Sequence, residues 1–197
     1  MHLYILFAHP SRKSFSRQVL EAFIRGLEEA GHTYEIGDLH EMRFPAELDE
    51  AQYFREVSGN PDLPVPPDVA AEQVKIDCAD GLAFIYPVWW SDCPAKLKGW
   101  FDRVMTCGYA YVYDDQGNRG TRMSIDKALV LCPAGHTAEH LEATGIAESM
   151  RRIMLDDRLL GVGVKEARME ILGGMMPLDD THRERNLQTA FELGKEF

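Results

Sequence analysis

The chain has 197 residues, enough for one sizeable hydrophobic core. Hydrophobic residues make up 45% and charged residues 27%, an ordinary globular balance, and the formal net charge of −11 argues against nucleic acid or an anionic membrane as the main partner. No apolar run approaches bilayer length, and the apolar start MHLYILFAHP lacks the basic region and cleavage site of a signal peptide. Cys78, Cys93, Cys107 and Cys132 form no CxxC pair and no zinc-like cluster with histidine, so a cytoplasmic protein with reduced thiols and no metal is expected.

In chain order, Leu3 to Ala8 is a short apolar run, the pattern of a strand buried on both faces. A helix is expected from Ser16 to Ala30, with Leu20, Phe23, Ile24 and Leu27 at helical spacing and Gly31 at the C-terminal cap. Thr33 to Leu39 reads as a second strand. The segment from about 40 to 67 is irregular and rich in Pro, Asp and Glu, an excursion too long for an ordinary connection. A helix over Asp68 to Ala79 would turn Ala71, Val74 and Cys78 inward. Leu82 to Tyr86 is a third strand, and the next helix starts at Pro94 and buries Leu97, Trp100, Phe101 and Val104. Tyr109 to Arg122 reads as an aromatic loop and Ala128 to Cys132 as a fourth strand. Ala138 to Leu160 is mostly helical with a break near Gly145. Ala167 to Leu172 is a fifth strand, and Thr181 to Glu196 a closing helix. Strands alternating with helices predict a single α/β domain over residues 1–197, built on a parallel sheet covered on both faces.

Three strand-end loops carry the chemistry. In an open α/β sheet, ligands bind outside the carboxyl ends of the strands. The first loop, His9-Pro10-Ser11-Arg12-Lys13-Ser14-Phe15-Ser16, combines hydroxyls, two cations and the free N–H groups of a helix start, which together make an anion site. Neither GxGxxG nor GxxxxGK[ST] occurs, so the loop suits a monophosphate or a flavin phosphate, unless Ser14 or Ser16 merely caps the helix. The second loop, Pro87-Val88-Trp89-Trp90-Ser91, offers amides and aromatic faces for a planar ring, unless its tryptophans are core or interface residues. The third, Pro133-Ala134-Gly135-His136, reaches the same sheet edge. His136 and His140 can place a proton or a positive charge beside a reduced ring, unless they are simply solvated.

The pieces AHPSRKSFS, DLHEMRF, PDVAAEQVKIDCAD, YPVWWSDCPAKLKGWFDRV, YAYVYDDQG and KALVLCPAG, in that order, resemble the flavin-dependent NAD(P)H:quinone reductase family of flavodoxin-like fold. The resemblance covers nearly the whole chain. It implies a doubly wound five-stranded parallel sheet of order 2-1-3-4-5 and a flavin, FMN or FAD, across the ends of strands one, three and four. His9, Ser14, Phe15 and Ser16 would hold its phosphate end. Pro87, Val88, Trp89 and Trp90 would line its ring, and Pro133, Ala134, Gly135 and His136 would cover the pyrimidine side. It also implies a homodimer in which Tyr111 and Tyr113 reach the partner's substrate site, where Trp90 also lies.

Three departures stand out. Pro133-Ala134-Gly135-His136 replaces a common Thr-Thr-Gly-Gly, and its proline supplies no N–H. A tyrosine usual after that loop is absent, and His136 or His140 is expected to take over as the catalytic group. The chain also stops short of the extra C-terminal region of the longer animal enzymes, which leaves FMN against FAD open, with Arg183 or Arg185 available to an adenine. The activity implied is two-step (ping-pong) hydride transfer from NAD(P)H, through the flavin, to a quinone or similar acceptor. Two other roles fit the same resemblance: a regulatory subunit of a membrane potassium efflux transporter, and a flavodoxin-type electron carrier.

Overall fold

In a computed structural model, which describes residues 1–176 and 180–197, strands and helices alternate along the chain as the sequence pattern predicts. β1 (His2–Phe7) leads into α1 (Phe15–Glu29) and β2 (Thr33–Asp38). α2 (Glu50–Ser58) and α3 (Pro67–Asp77) precede β3 (Gly81–Ile85) and α4 (Ala95–Val104). A hairpin of β4 (Tyr111–Tyr113) and β5 (Arg119–Thr121) comes next, followed by β6 (Ile125–Pro133). α5 (Ala138–Ala143) and α6 (Ile146–Arg151) run into a π-helical turn (Arg152–Asp157) and a 3-10 turn (Leu160–Val162). β7 (Val164–Leu172) and α7 (Asp180–Lys195) complete the order.

The five longer strands form one parallel sheet of order β2-β1-β3-β6-β7, which is 2-1-3-4-5 when only those strands are counted. β1 and β3 are apolar and buried on both faces, as a central parallel strand must be. One core layer packs α1 and α7 against the sheet through Leu20, Phe23, Leu27 and Leu193. The other packs α3, α4, α5 and α6 against it through Ile76, Leu97, Trp100, Leu141 and Met150. α1 and α7 approach closely: a Cβ at Gly26 would lie 2.1 Å from the Phe191 carbonyl oxygen, and one at Gly194 would lie 2.2 Å from that of Phe23.

The inward face expected for α3 is wrong. Ala71, Val74 and Cys78 are exposed, and the buried positions are Val69, Glu72 and Ile76. The reason is a buried carboxylate. Glu72 accepts the Tyr4 hydroxyl (2.5 Å), the Trp100 indole N–H (2.8 Å) and the Lys75 ammonium (2.7 Å). Burial, and then hydrogen bonding to Glu72, pushes the Tyr4 hydroxyl well above its ordinary pKa, so it stays a donor. The excursion contains α2, whose inward residues are also polar, Gln52 and Arg55. The expected aromatic loop folds as the β4–β5 hairpin. β6 and β7 each begin three residues early, where Asp126, Lys127, Lys165 and Glu166 break the apolar run although the backbone still pairs. The helical break at Gly145 lies where expected, with φ of 75°.

Replacing Glu72 with Leu strands two buried donors. Thermal unfolding is expected to show a loss of about 2–4 kcal/mol, or roughly 5–12 °C in Tm. An unchanged melting curve would show that Tyr4 and Trp100 find other acceptors.

Candidate active site

At the carboxyl end of the sheet the three loops close around one cleft of about 770 Å³. β1 delivers His9, and the start of α1 delivers Phe15 and Ser16. The turn after β3 delivers Pro87, Val88, Trp89, Trp90 and Ser91, and the end of β6 delivers Pro133, Ala134, Gly135 and His136. Leu141 of α5, Ile146 of α6, and Met175 and Met176 after β7 complete the wall. These volumes and linings are those of a small-molecule site.

Backbone bonds tie the loops together. Val88 donates its N–H to the Pro133 carbonyl (2.8 Å), and the Trp89 ring lies 5.8 Å from that of His9. The third loop is stitched to the segment after β7: Ala134 N–H reaches Leu172 (3.1 Å), while Gly174, Met175 and Met176 donate to the carbonyls of His136, Ala134 and Gly135. Asn186 of α7 braces that segment by donating to the Gly173 carbonyl (2.9 Å).

One end of the cleft gathers backbone N–H groups at a helix start. Ser14 caps α1 by accepting the Arg17 N–H (3.1 Å), which leaves the Phe15 and Ser16 N–H groups without an acceptor among the described residues. Ser14 is therefore committed to the cap and does not line the cleft. Ser11 donates its N–H to His9 Nδ1 (2.9 Å), so the neutral ring carries its proton on Nε2. Burial holds His9 below its ordinary pKa, and the neighbouring His40 adds to this. Arg12, expected to reinforce the site, is paired with Glu41 instead.

The other end is apolar with a polar rim. Trp89, Trp90, Val88, Leu141, Ile146 and Met175 supply the walls. The N–H groups of Trp90, Ser91, Gly135 and His136 have no acceptor among the described residues. Trp90 and Ser91 sit at φ of 50° and 63°, left-handed without being glycine, a conformation that is strained for a bulky residue. His136 stacks on His140 with ring centroids 4.5 Å apart, and His136 alone of the two lines the cleft. Tyr111 and Tyr113 pack on each other in β4, with Arg119 over Tyr111 (4.8 Å), and neither lines this cleft. Arg183 donates to Gln18 (2.9 Å) and covers the Phe15 ring, whereas Arg185 lies in a separate groove with Glu139. Sequence reasoning missed Leu141, Ile146, Met175 and Met176. The rule that ligands bind at strand ends, applied to β7, would have found both methionines.

The whole arrangement has known counterparts. The family described as having a flavodoxin-like fold matches residues 1–193, and the chain belongs to it. A solved structure titled NAD(P)H:quinone oxidoreductase from Methanothermobacter marburgensis superposes with a TM-score of 0.94 at 65% identity, covering 100% of this chain and 95% of that one. NAD(P)H dehydrogenase [quinone] 1 of Rattus norvegicus is 31% identical over 163 residues, 76% of this chain and 59% of the rat sequence. An FMN-dependent NADH-azoreductase of Bacillus anthracis, solved with FMN, shares the fold with a TM-score of 0.76 at 20% identity, over 99% of this chain and 97% of that one. The chain spans less than two thirds of the length of the first curated relatives it matches, 65% and 59%. Among the described residues, no helix is long and apolar enough to cross a membrane.

His9 reports on the anion end. In the free protein its imidazole is expected to titrate below about 6.5 by NMR, and saturating inorganic phosphate is expected to raise that value by stabilising the imidazolium. For this depressed histidine, the stability contribution is full above the unfolded-state value and is lost as pH falls through the folded one. A His9 titration indifferent to phosphate would remove the anion site.

Proposed function

We propose that the protein is an FMN-binding NAD(P)H oxidoreductase acting on quinones or similar electrophilic acceptors. One observation carries the reading: a single cleft joins a helix N-terminus with unpaired N–H groups to a tryptophan-walled space rimmed by further unpaired N–H groups. A phosphate tail and a flat, amphipathic ring fit those two ends. The likeness to the Methanothermobacter enzyme, at 65% identity, supports the same assignment.

His9, Phe15 and Ser16 bind the phosphate, with the start of α1 contributing its dipole. Val88, Trp89 and the Pro133–His136 loop would hold the ring, and the N–H groups of Gly135 and His136 would be available to its polar atoms. When bound, the flavin supplies hydride acceptance from reduced nicotinamide and hydride donation to the acceptor. Trp90 and the methionines bound one open mouth, so donor and acceptor use the same space in turn, as a ping-pong cycle requires. His136, steadied by its stack on His140, would hold its imidazole at the cleft wall, within reach of a bound ring. Neither the transporter-subunit reading nor the carrier reading has an observation of its own in the structure.

We also propose a homodimer that completes the substrate site. α2 is inverted: Gln52 and Arg55 point inward and bond to Arg103 and to the Cys107 carbonyl, while Tyr53, Phe54 and Val57 face outward. An apolar outer face of this kind calls for a covering partner. Tyr113 is exposed on the hairpin, free to reach a neighbouring cleft with Tyr111 beside it.

Purified protein incubated with FMN is expected to turn yellow, and anaerobic NADPH followed by menadione should bleach it and then restore the colour. Protein that stays colourless with excess flavin would end the proposal. Replacing His136 and His140 together with Ala is expected to lower kcat by about a hundredfold per bound flavin, and an unchanged kcat would remove their catalytic role. Phe54→Glu combined with Val57→Glu should convert dimer to monomer by light scattering, with loss of quinone turnover.

A further inference from the structure

The turn that carries Trp90 lacks the residue types that ordinarily hold its shape. Trp89 and Asp92 exchange two backbone bonds, Trp89 N–H to Asp92 (3.0 Å) and Asp92 N–H to Trp89 (3.2 Å). Between them, Trp90 and Ser91 are both left-handed, the arrangement of a mirror-image (type I′) turn. Such turns ordinarily use Asn, Asp or Gly at these positions, and this one uses a tryptophan and a serine. The Trp90 ring packs on nothing, being fully exposed at the cleft mouth. Something outside the turn must therefore hold it.

We infer that Asp92 and Arg158 are positioning residues: their ion pair clamps the Trp90–Ser91 turn and so sets Trp90 at the mouth of the cleft. Arg158 donates both terminal nitrogens to the Asp92 carboxylate, at 2.9 and 3.0 Å, the two-pronged geometry that fixes a carboxylate in orientation as well as in place. The same carboxylate accepts the Cys93 N–H (2.7 Å), so three donors anchor it. The guanidinium is itself held, with Phe101 beneath it at 5.6 Å and Cys93 Sγ at 3.5 Å. Its backbone is set by the preceding π-helical turn, where the Arg158 N–H reaches back five residues to the Ile153 carbonyl (3.1 Å). The pair thus links the ring-binding turn after β3 to the helical layer before β7, 66 residues away. Its bearing on catalysis rests on the flavin reductase reading. Its bearing on the turn does not.

The clamp is tested first without any ligand. In cofactor-free protein, Arg158→Gln, and separately Asp92→Asn as the milder change, are expected to speed hydrogen exchange at the Trp89 and Asp92 amides by about tenfold, with the far-UV spectrum intact. Adding Ser91→Gly to Arg158→Gln should bring exchange back to within about threefold of the native rate, because glycine accepts positive φ without strain and keeps the N–H. With FMN bound, Arg158→Gln should raise the FMN Kd and the menadione KM by about fivefold while kcat moves by less than about twofold, and Ser91→Gly should recover both constants. Native exchange in folded Arg158→Gln and Asp92→Asn would overturn the inference, as would a failure of Ser91→Gly to rescue. If exchange and rescue behave as expected but FMN does not bind, the clamp stands and the reductase reading falls.

Discussion

The tryptophan turn at the cleft depends on how α4 is held against the sheet, and there apolar packing is locked by polar bonds. Glu72 of α3 sits between Tyr4 of β1 and Trp100 of α4, accepting from both. Further polar bonds tie α3 to α4 and the residues just after it. Arg103 grips Asp68, and Gln73 donates to the Val104 carbonyl (2.9 Å) and to the Thr106 hydroxyl (3.0 Å). Arg103 also holds the Asp68 carboxyl below the usual carboxylate range. The segments PDVAAEQ and KGWFDRV are therefore two halves of one interlock. At its outer side, Gly99 meets the chain after β2 so closely that a Cβ would lie 2.0 Å from the Ala46 carbonyl oxygen. Directional bonds of this kind set helix rotation, which apolar packing alone leaves adjustable. Because α4 starts just after the tryptophan turn, fixing its rotation fixes where that turn can sit.

The cleft also shows local electrostatics overriding the global balance. A chain of net charge −11 repels anions at long range, yet the start of α1 offers N–H groups that have no acceptor among the described residues. At contact distance those donors and the helix dipole act directly, while the distant carboxylates are screened. Much of the nearby cationic charge is already paired, Arg12 with Glu41 and Arg17 with Glu21. An anion at this end would therefore meet mainly backbone groups and His9, and backbone donors do not depend on side-chain rotamers.

The parts of the fold legible in the sequence are those whose burial follows apolar periodicity. β1, β3 and the face of α4 were read correctly because Leu3, Ile5, Leu82, Phe84, Leu97 and Trp100 bury in the pattern expected of them. The three loops were legible because strand ends in a parallel sheet must converge. Where burial is polar, the reading failed. Glu72 on α3 and Gln52 with Arg55 on α2 are buried through hydrogen bonds that only the tertiary structure supplies. Apolar counting therefore turned α3 the wrong way and missed α2. The left-handed turn at Trp90 and Ser91 was illegible for a related reason. Its usual signal is glycine or asparagine, and here the conformation is held by an arginine far along the chain.

The proline in the third loop reads from sequence as the loss of one contact, because it removes a donor. In the structure Pro133 ends β6 and is used through its carbonyl, which accepts the Val88 N–H and locks the second loop to the third. A donor at 133 is not needed for that lock. The next N–H, that of Ala134, pairs with Leu172 in continuation of the sheet. Only at Gly135 and His136 do N–H groups turn out of the sheet, and the carbonyls that share their peptide planes, those of Ala134 and Gly135, are already engaged by Met175 and Met176. With the carbonyls tied back, the peptide planes are fixed and their N–H groups have the cleft as their outlet. The substitution therefore leaves the loop's donors at its glycine and histidine, beside the imidazole of His136 that would share the same ligand.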